Sequence, residues 1–401
     1  MISLEDKAMC CGCGACENIC PHNSIEMVGD DEGFLYPRIT GNCTECGLCT
    51  KVCPIISKSE EKEKLQLGYI VQNKSVRIRN ESTSGGAFSA IAEYTLERGG
   101  VVFGAAFDKK MELYHTFIED KNEIEKFRGS KYLQSRIGRS YEAAKTFLKT
   151  DRLVCFSGTP CQIEGLKKFL GKEYINLITV DLVCRAVASP KIFQKYVAYI
   201  NDKYKGTPDK IKFRDKQHYG YQYSQIAFYD KKNQCYYHGG LACDYYLRAF
   251  FSNICNRPSC YSCSFKKRYR ESDFTIWDCF DAGSLSKGFD NKGTTRMLLH
   301  TGKANAVFDG IKDKLNYKKI NSDVIVNGVV ELTVSVDENS KRDEFFTDAV
   351  ALNGEGLFRK YFPVKFKNRI ENVIRIAGVK TGMSRVIKKI GKQVLKNYKR
   401  N

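Results

Sequence analysis

The chemistry of this chain is carried first by its cysteines. From Cys10 the sequence reads Cys10-x2-Cys13-x2-Cys16-x3-Cys20-Pro21, and it repeats this as Cys43-x2-Cys46-x2-Cys49-x3-Cys53-Pro54. Three thiolates at steps of three converge on one iron-sulfur cube through a tight turn, while the fourth, held before proline, serves the neighbouring cube. The spacing therefore predicts a crossed pairing. Cys10, Cys13, Cys16 and Cys53 would hold one 4Fe-4S cluster, Cys20, Cys43, Cys46 and Cys49 the second, and Cys11 is left over. A structural zinc site or a disulfide knot is the competing reading, and two complete matches closed by Cys-Pro weigh against it. Gly12, Gly14 and Gly47 let the backbone pass close to sulfur, where its N–H groups can tune a cluster.

A second set of thiols lies further along. Cys260-x2-Cys263 needs two more ligands, and Cys161 at a helix start and Cys184 at a strand end are the best placed, because loops at strand ends converge in α/β folds. A third cluster on Cys161, Cys184, Cys260 and Cys263 is one reading. Zinc, a redox dithiol or plain core packing remain open, with Cys255 as a reserve ligand.

These residues must be positioned by a small unit and a larger one. The segment Gly33–Thr40 between the two repeats reads as a short strand of a ferredoxin-like unit, residues 1–56, too small to bury much core without its clusters. A charged run over residues 57–65 reads as a linker to a mixed-sheet α/β or α+β domain at 66–360. Apolar spacing there predicts strands at 67–72, 101–107, 152–156 and 177–183, with helices starting near Phe88, Cys161 and Lys191. Between one strand and its helix lies Ser157-Gly-Thr-Pro-Cys-Gln162, with Thr159 and Gln162 spaced for a capping box. A glycine-bearing loop feeding a helix N-terminus suits an anion such as a cofactor pyrophosphate, though an ordinary capped helix explains it as well. Ser82–Gly86 and Arg128–Tyr132 have similar character.

With 401 residues, 42% hydrophobic and 28% charged, the composition is that of a globular protein of two or three domains. No apolar run reaches the roughly 20 residues of a spanning helix, and no secretory signal precedes the first cysteines. The expected location is cytoplasmic. The formal charge is +19, and more than half of the excess falls in residues 364–401. There Ile370, Val373, Ile374 and Ala377, then Met383, Val386, Ile387, Ile390 and Val394, recur at helical spacing, with Gly378 and Gly382 breaking the run. One or two basic amphipathic helices follow. They would rest on the anionic inner face of a membrane or pack on the domain. Nucleic acid is not expected, because no recognised module or interleaved aromatic residue accompanies the charge.

The motifs STSGGAFSAIAEYTLERGG at 82–100, FRGSKYLQS at 127–135, SGTPCQIEGLKKFL at 157–170, VDLVC at 180–184, IKFRDK at 211–216 and RPSCYSC at 257–263 occur in order behind the ferredoxin repeat. Together they resemble the coenzyme F420 hydrogenase/dehydrogenase beta-subunit family over roughly residues 1–280. The resemblance implies an iron-sulfur flavoprotein with FAD beside a 4Fe-4S cluster, moving electrons between clusters and a diffusible substrate. It implies that Cys161, Cys184, Cys260 and Cys263 ligate the flavin-side cluster. It also implies that Ser82, Ser84, Gly85 and Gly86, then Ser130, Lys131 and Tyr132, then Gly158 and Thr159, line the FAD site. One departure stands out. The family often has a Gly-Asp pair after the Cys-x2-Cys strand, whereas this chain reads Asp273-Phe-Thr-Ile-Trp-Asp-Cys-Phe280, placing Trp277 where the backbone would approach the pocket.

The resulting expectation is an FAD and iron-sulfur dependent oxidoreductase acting with a redox partner protein or a small organic electron acceptor or donor. The alternative is an electron-transfer subunit that hands electrons to a partner enzyme. His115, His218, His238 and His300 are possible proton donors that the sequence does not rank.

Overall fold

In the computed structural model, residues 2, 6–290 and 292–381 are described. The chain forms two compact units, each assembled from several stretches: Met1–Arg128, Leu133–Lys191 and Asn256–Asp337 make the first, and Gly129–Tyr132, Ile192–Cys255 and Glu338–Asn401 the second. Among the described residues the strands run, in chain order, β1 Ile25–Gly29, β2 Leu35–Ile39, β3 Leu67–Asn73, β4 Val101–Phe107, β5 Leu113–Ile118, β6 Val154–Ser157 and β7 Leu177–Leu182. They continue with β8 Lys210–Lys212, β9 Gln225–Tyr229, β10 Cys235–Gly240, β11 Phe274–Asp278, β12 Thr295–Leu299 and β13 Leu315–Ile320.

The first unit is built on an eight-stranded sheet of order β13-β3-β12-β11-β7-β6-β4-β5. Strands β4, β6, β7 and β11 are mutually parallel, and β3 shares their direction through two antiparallel steps across β12. Five strands therefore end on one edge. Helices cover both faces, so the central strands are apolar throughout rather than alternating. Along β4, Val101 and Phe103 pack with Phe156 and Leu177 under the helices Ser140–Lys149 and Pro160–Leu170. Val102 turns the other way, to Cys155, Ile178 and Phe274 under Ala87–Leu96 and Gly302–Ile311. This two-sided burial explains the uninterrupted apolar run at 101–107.

The cysteine repeat recurs in the backbone. Gly14 and Gly47 occupy matching left-handed positions, with φ of 72° and 73°, and each starts a short helix, Ala15–Ile19 or Leu48–Lys51, that carries the third cysteine of its motif. Strands β1 and β2 pair antiparallel between them, the second matching the strand expected at 33–40. The run 58–66 has no regular structure.

The second unit contains the antiparallel sheet β10-β9-β8 and an aromatic core in which Tyr196 meets Phe228, Tyr246 and Phe358. Its last described helix is Phe366–Lys380. The break expected at Gly378 does not occur, because one interior glycine costs only about 1 kcal/mol and the helix is anchored on its own unit. Asn372 bonds the Tyr219 hydroxyl at 3.3 Å and the Arg375 guanidinium lies 4.3 Å from the Tyr223 ring. The expected second helical stretch at 383–394 lies outside the described residues. No described helix is long and apolar enough to cross a membrane.

Candidate iron-sulfur centres and the strand-end edge

Three groups of thiols form in the first unit. In the first, Cys10 and Cys16 each lie close enough to Cys53 to feel its charge, and Cys13 couples to both Cys10 and Cys16. The fourth member thus comes from the other repeat. The second group, Cys20, Cys43, Cys46 and Cys49, lines one open hollow together with His22 and Glu45. Cys46 is exposed there, whereas Cys13, Cys16, Cys49 and Cys53 are buried. Cys16 also senses Cys49, so the two groups adjoin.

The third group is assembled from three separate elements. Cys161 lies in the first turn of the helix Pro160–Leu170, Cys184 just beyond β7, and Cys260 and Cys263 on a turn stabilised by a bond from the Cys260 N–H to the Arg257 carbonyl. Cys184 couples to Cys260, Cys161 and Cys263, and Cys260 and Cys263 each couple to Cys161. Cys255, the reserve ligand, belongs to the second unit. Cys11, left over by the repeats, lies beside both Cys13 and Cys161.

The environment suits clusters. Backbone N–H groups point at sulfur, from Gly12 to Cys10 at 3.4 Å and from Ser24 to Cys20 at 3.3 Å. Burial raises the Cys10, Cys16, Cys184 and Cys263 thiols above their ordinary value and pushes Cys260 up to about 12. Cys161 rises well above it, first through its hydrogen bond with Cys11 and then through burial. Iron binds thiolate, so loading these sites must release protons. Among the described residues no three Cys, His, Asp or Glu side chains are set to hold one metal ion. A four-iron cube makes a different demand, since its thiolates sit on the corners of a larger body.

The FAD candidates are distributed along the edge and beyond it. The loop Ser82–Gly86 covers the ends of β3 and β12, where Ser84 Oγ lies 2.7 Å from Thr295 Oγ1. A Cβ on Gly85 would meet the Val71 carbonyl at 2.3 Å, so only glycine fits. Gly158 and Thr159 follow β6 on the same edge, four strand spacings or about 19 Å away. Their polar groups are engaged within the protein. The Gly85 N–H donates to Thr295, the Gly158 N–H to the Val180 carbonyl and the Thr159 N–H to Gln162 Oε1. These amides therefore do not fit a pyrophosphate as they stand. The expected capping box of Thr159 and Gln162 is formed, and the Thr159 hydroxyl also lies 3.1 Å from Cys161 Sγ. Ser130, Lys131 and Tyr132 lie in the second unit. Burial, then Lys210, lowers the Lys131 ammonium to about 7, although part of the side chain meets solvent. Tyr132 stacks on Phe250 at 4.6 Å.

The remaining expectations also find places. Trp277 packs with Ile70, Leu298 and Ile325 on one face of the sheet, so its bulk is absorbed by core. His115 lies beside the β6 loop, 3.1 Å from the Ser157 carbonyl and 3.0 Å from Ser135 Oγ. His300 is fixed by Gln66 and Thr275, and burial lowers it to about 3, leaving it neutral. His218 and His238 stack at 3.9 Å in the second unit. Sequence reasoning missed two side chains that border the third group, Arg257 and Lys266. Lys266 Nζ reaches the carbonyls of Cys184 and Glu331. Arg257 was visible as the first residue of the RPSCYSC motif, but nothing in its spacing showed that it is buried.

Comparison with protein-family models matches residues 69–139 to the N-terminal part, and residues 151–323 to the C-terminal part, of the coenzyme F420 hydrogenase/dehydrogenase beta subunit. The chain belongs to that family. Residues 9–55 match a 4Fe-4S dicluster domain, so this family member is an iron-sulfur protein related to oxidoreductases. It is similar to the coenzyme F420-dependent sulfite reductase of Methanocaldococcus jannaschii, 27% identical over 171 residues, or 41% of this chain. The match spans only 26% of that relative's length. A chain of the F420-reducing [NiFe] hydrogenase complex from Methanosarcina barkeri is also similar, at 16% identity and a TM-score of 0.42 over 75% of this chain and 94% of that one.

Proposed function

We propose that this beta-subunit homologue is an iron-sulfur flavoprotein oxidoreductase that passes electrons between three 4Fe-4S clusters and FAD, and so reduces or oxidises an organic substrate. Cys10, Cys13, Cys16 and Cys53 would hold the first cluster, Cys20, Cys43, Cys46 and Cys49 the second, and Cys161, Cys184, Cys260 and Cys263 the third. The observation that carries this reading is the third group. Four thiols from three distant elements share one neighbourhood, and Cys11 links it to the first group.

When bound, the clusters supply one-electron relay, and a flavin pairs such electrons into a two-electron exchange with an organic molecule. The chain's own residues set the terms. Exposed Cys46 marks the outer end, where a redox partner protein can approach, whereas Cys13, Cys16 and Cys53 of the first group are buried and the thiols of the third are partly buried. His115, beside the β6 loop, is the histidine best placed to hold a proton near that edge. A deazaflavin-type coenzyme is one substrate that the family name suggests.

The engaged amides of Gly85, Gly158 and Thr159 favour a second reading, in which the chain is an electron-transfer subunit that hands electrons to a partner enzyme. Flavin content after anaerobic purification separates the two. About one FAD per chain supports the flavoprotein; protein rich in iron and free of flavin under all loading conditions supports the electron-transfer role.

A further inference from the structure

Arg257 is fully buried, yet among the described residues no carboxylate forms an ion pair with it. Each of its three nitrogens donates to a neutral oxygen: Nε to the Cys10 carbonyl at 2.8 Å, Nη1 to Gln134 Oε1 at 2.8 Å and Nη2 to the Leu35 carbonyl at 2.9 Å. The guanidinium lies 4.2 Å from the Tyr36 ring centre. Gly12 is fitted to it, since a Cβ there would come 2.9 Å from Nη1 and 2.2 Å from Gln134 Nε2. Through its backbone the same arginine sets the turn that carries Cys260.

A buried charge with only neutral partners is strongly disfavoured unless something nearby is negative. Burial holds the adjacent Tyr36 phenol neutral, and the other neighbours that can become negative are thiols, since Arg257 acts electrostatically on Cys10 of the first group and on Cys161 and Cys260 of the third. As thiols they are neutral and leave the charge uncompensated. As ligands of a cluster they are thiolates, and the assembly they form is an anion.

Resting on the three-cluster reading, we infer that Arg257 is the shared counter-charge of the first and third clusters, a positioning residue that makes both easier to reduce. Each one-electron reduction adds a negative charge beside a guanidinium that neither gains nor loses a proton. None of the hydrogen bonds of the Arg257 guanidinium goes to Cys20, Cys43, Cys46 or Cys49, and the outer cluster is not expected to share the effect.

The test is a redox titration of the anaerobic, iron-loaded full chain, reduced stepwise with dithionite and followed by electron paramagnetic resonance, with iron counted in every sample. Arg257→Gln should lower two of the three potentials by at least tenfold in the reduction equilibrium, or about 59 mV for one electron, and Arg257→Lys should restore most of the shift. Gln134→Glu, nearly isosteric, places a carboxylate on the guanidinium and should lower the same two if Arg257→Gln fails to fold. Full iron with unchanged potentials in Arg257→Gln or in Gln134→Glu overturns the inference, as does an equal shift of all three. A wild-type chain with only eight irons overturns the three-cluster reading itself.

Discussion

Cys11 lies beside Cys161, a residue of the first turn of the helix that follows β6, and so brings the N-terminal repeat up to the large sheet. Neither four-cysteine motif needs Cys11, yet it lies where electrons moving between the first and third thiol groups would pass. Cys11→Ser should leave iron per chain unchanged while slowing reduction of the third cluster by way of the first. Stopped-flow absorbance on the iron-loaded protein checks this. A loss of four irons would show that Cys11 is a ligand instead.

Gly12 is held at φ +68° against Arg257 and Gln134. Gly12→Ala adds left-handed backbone strain of about 1–3 kcal/mol to a clash that neither buried neighbour can easily relieve. The expected result is a lower melting temperature and loss of the first cluster's iron. Gly41→Ala is the control, because its φ is also positive and a Cβ there meets nothing within 4 Å.

Buried Glu164 and largely buried Lys267 form an ion pair at 2.9 Å, with Glu164 on the same helix as Cys161. Removing one partner leaves a charge unpaired, which typically costs about 3–5 kcal/mol. Glu164→Gln should therefore destabilise the protein by several kcal/mol in urea unfolding, and Glu164→Met with Lys267→Met should recover much of it.

His300 gives the pH dependence a definite sign. Burial first, then Lys64 and Arg270, lowers its folded value to about 3, whereas an unfolded histidine titrates near 6.5. The stability it allows is complete above about pH 6.5 and falls as the pH drops toward 3, because only the unfolded chain takes up the proton. Between pH 7 and 5.5 the wild-type chain should lose about 1 kcal/mol more than His300→Gln, read from urea midpoints.

The strands and helices of the first unit were legible because their apolar periods were strong. The run at 101–107 and the helix after Pro160 appear within a residue or two of where the pattern puts them. The thiol neighbourhoods were legible from spacing within each repeat, from the helix-start position of Cys161 and from the strand-end position of Cys184. What stayed hidden depends on long-range packing. That Arg257 is buried, that Cys11 reaches Cys161, that Trp277 is taken up by core and that the Gly158 amide is bonded to Val180 are all consequences of chain segments meeting across the fold. The break expected at Gly378 failed for a related reason, since a local propensity yielded to tertiary anchoring by Asn372 and Arg375.

The most direct test of the three-cluster account is iron and sulfide counted on the anaerobically prepared chain and on Cys260→Ala with Cys263→Ala. About twelve irons falling to about eight is the predicted result, with the signals of the two N-terminal clusters preserved. About eight irons in both proteins would contradict it, leaving the thiols of Cys161, Cys184, Cys260 and Cys263 without a cluster.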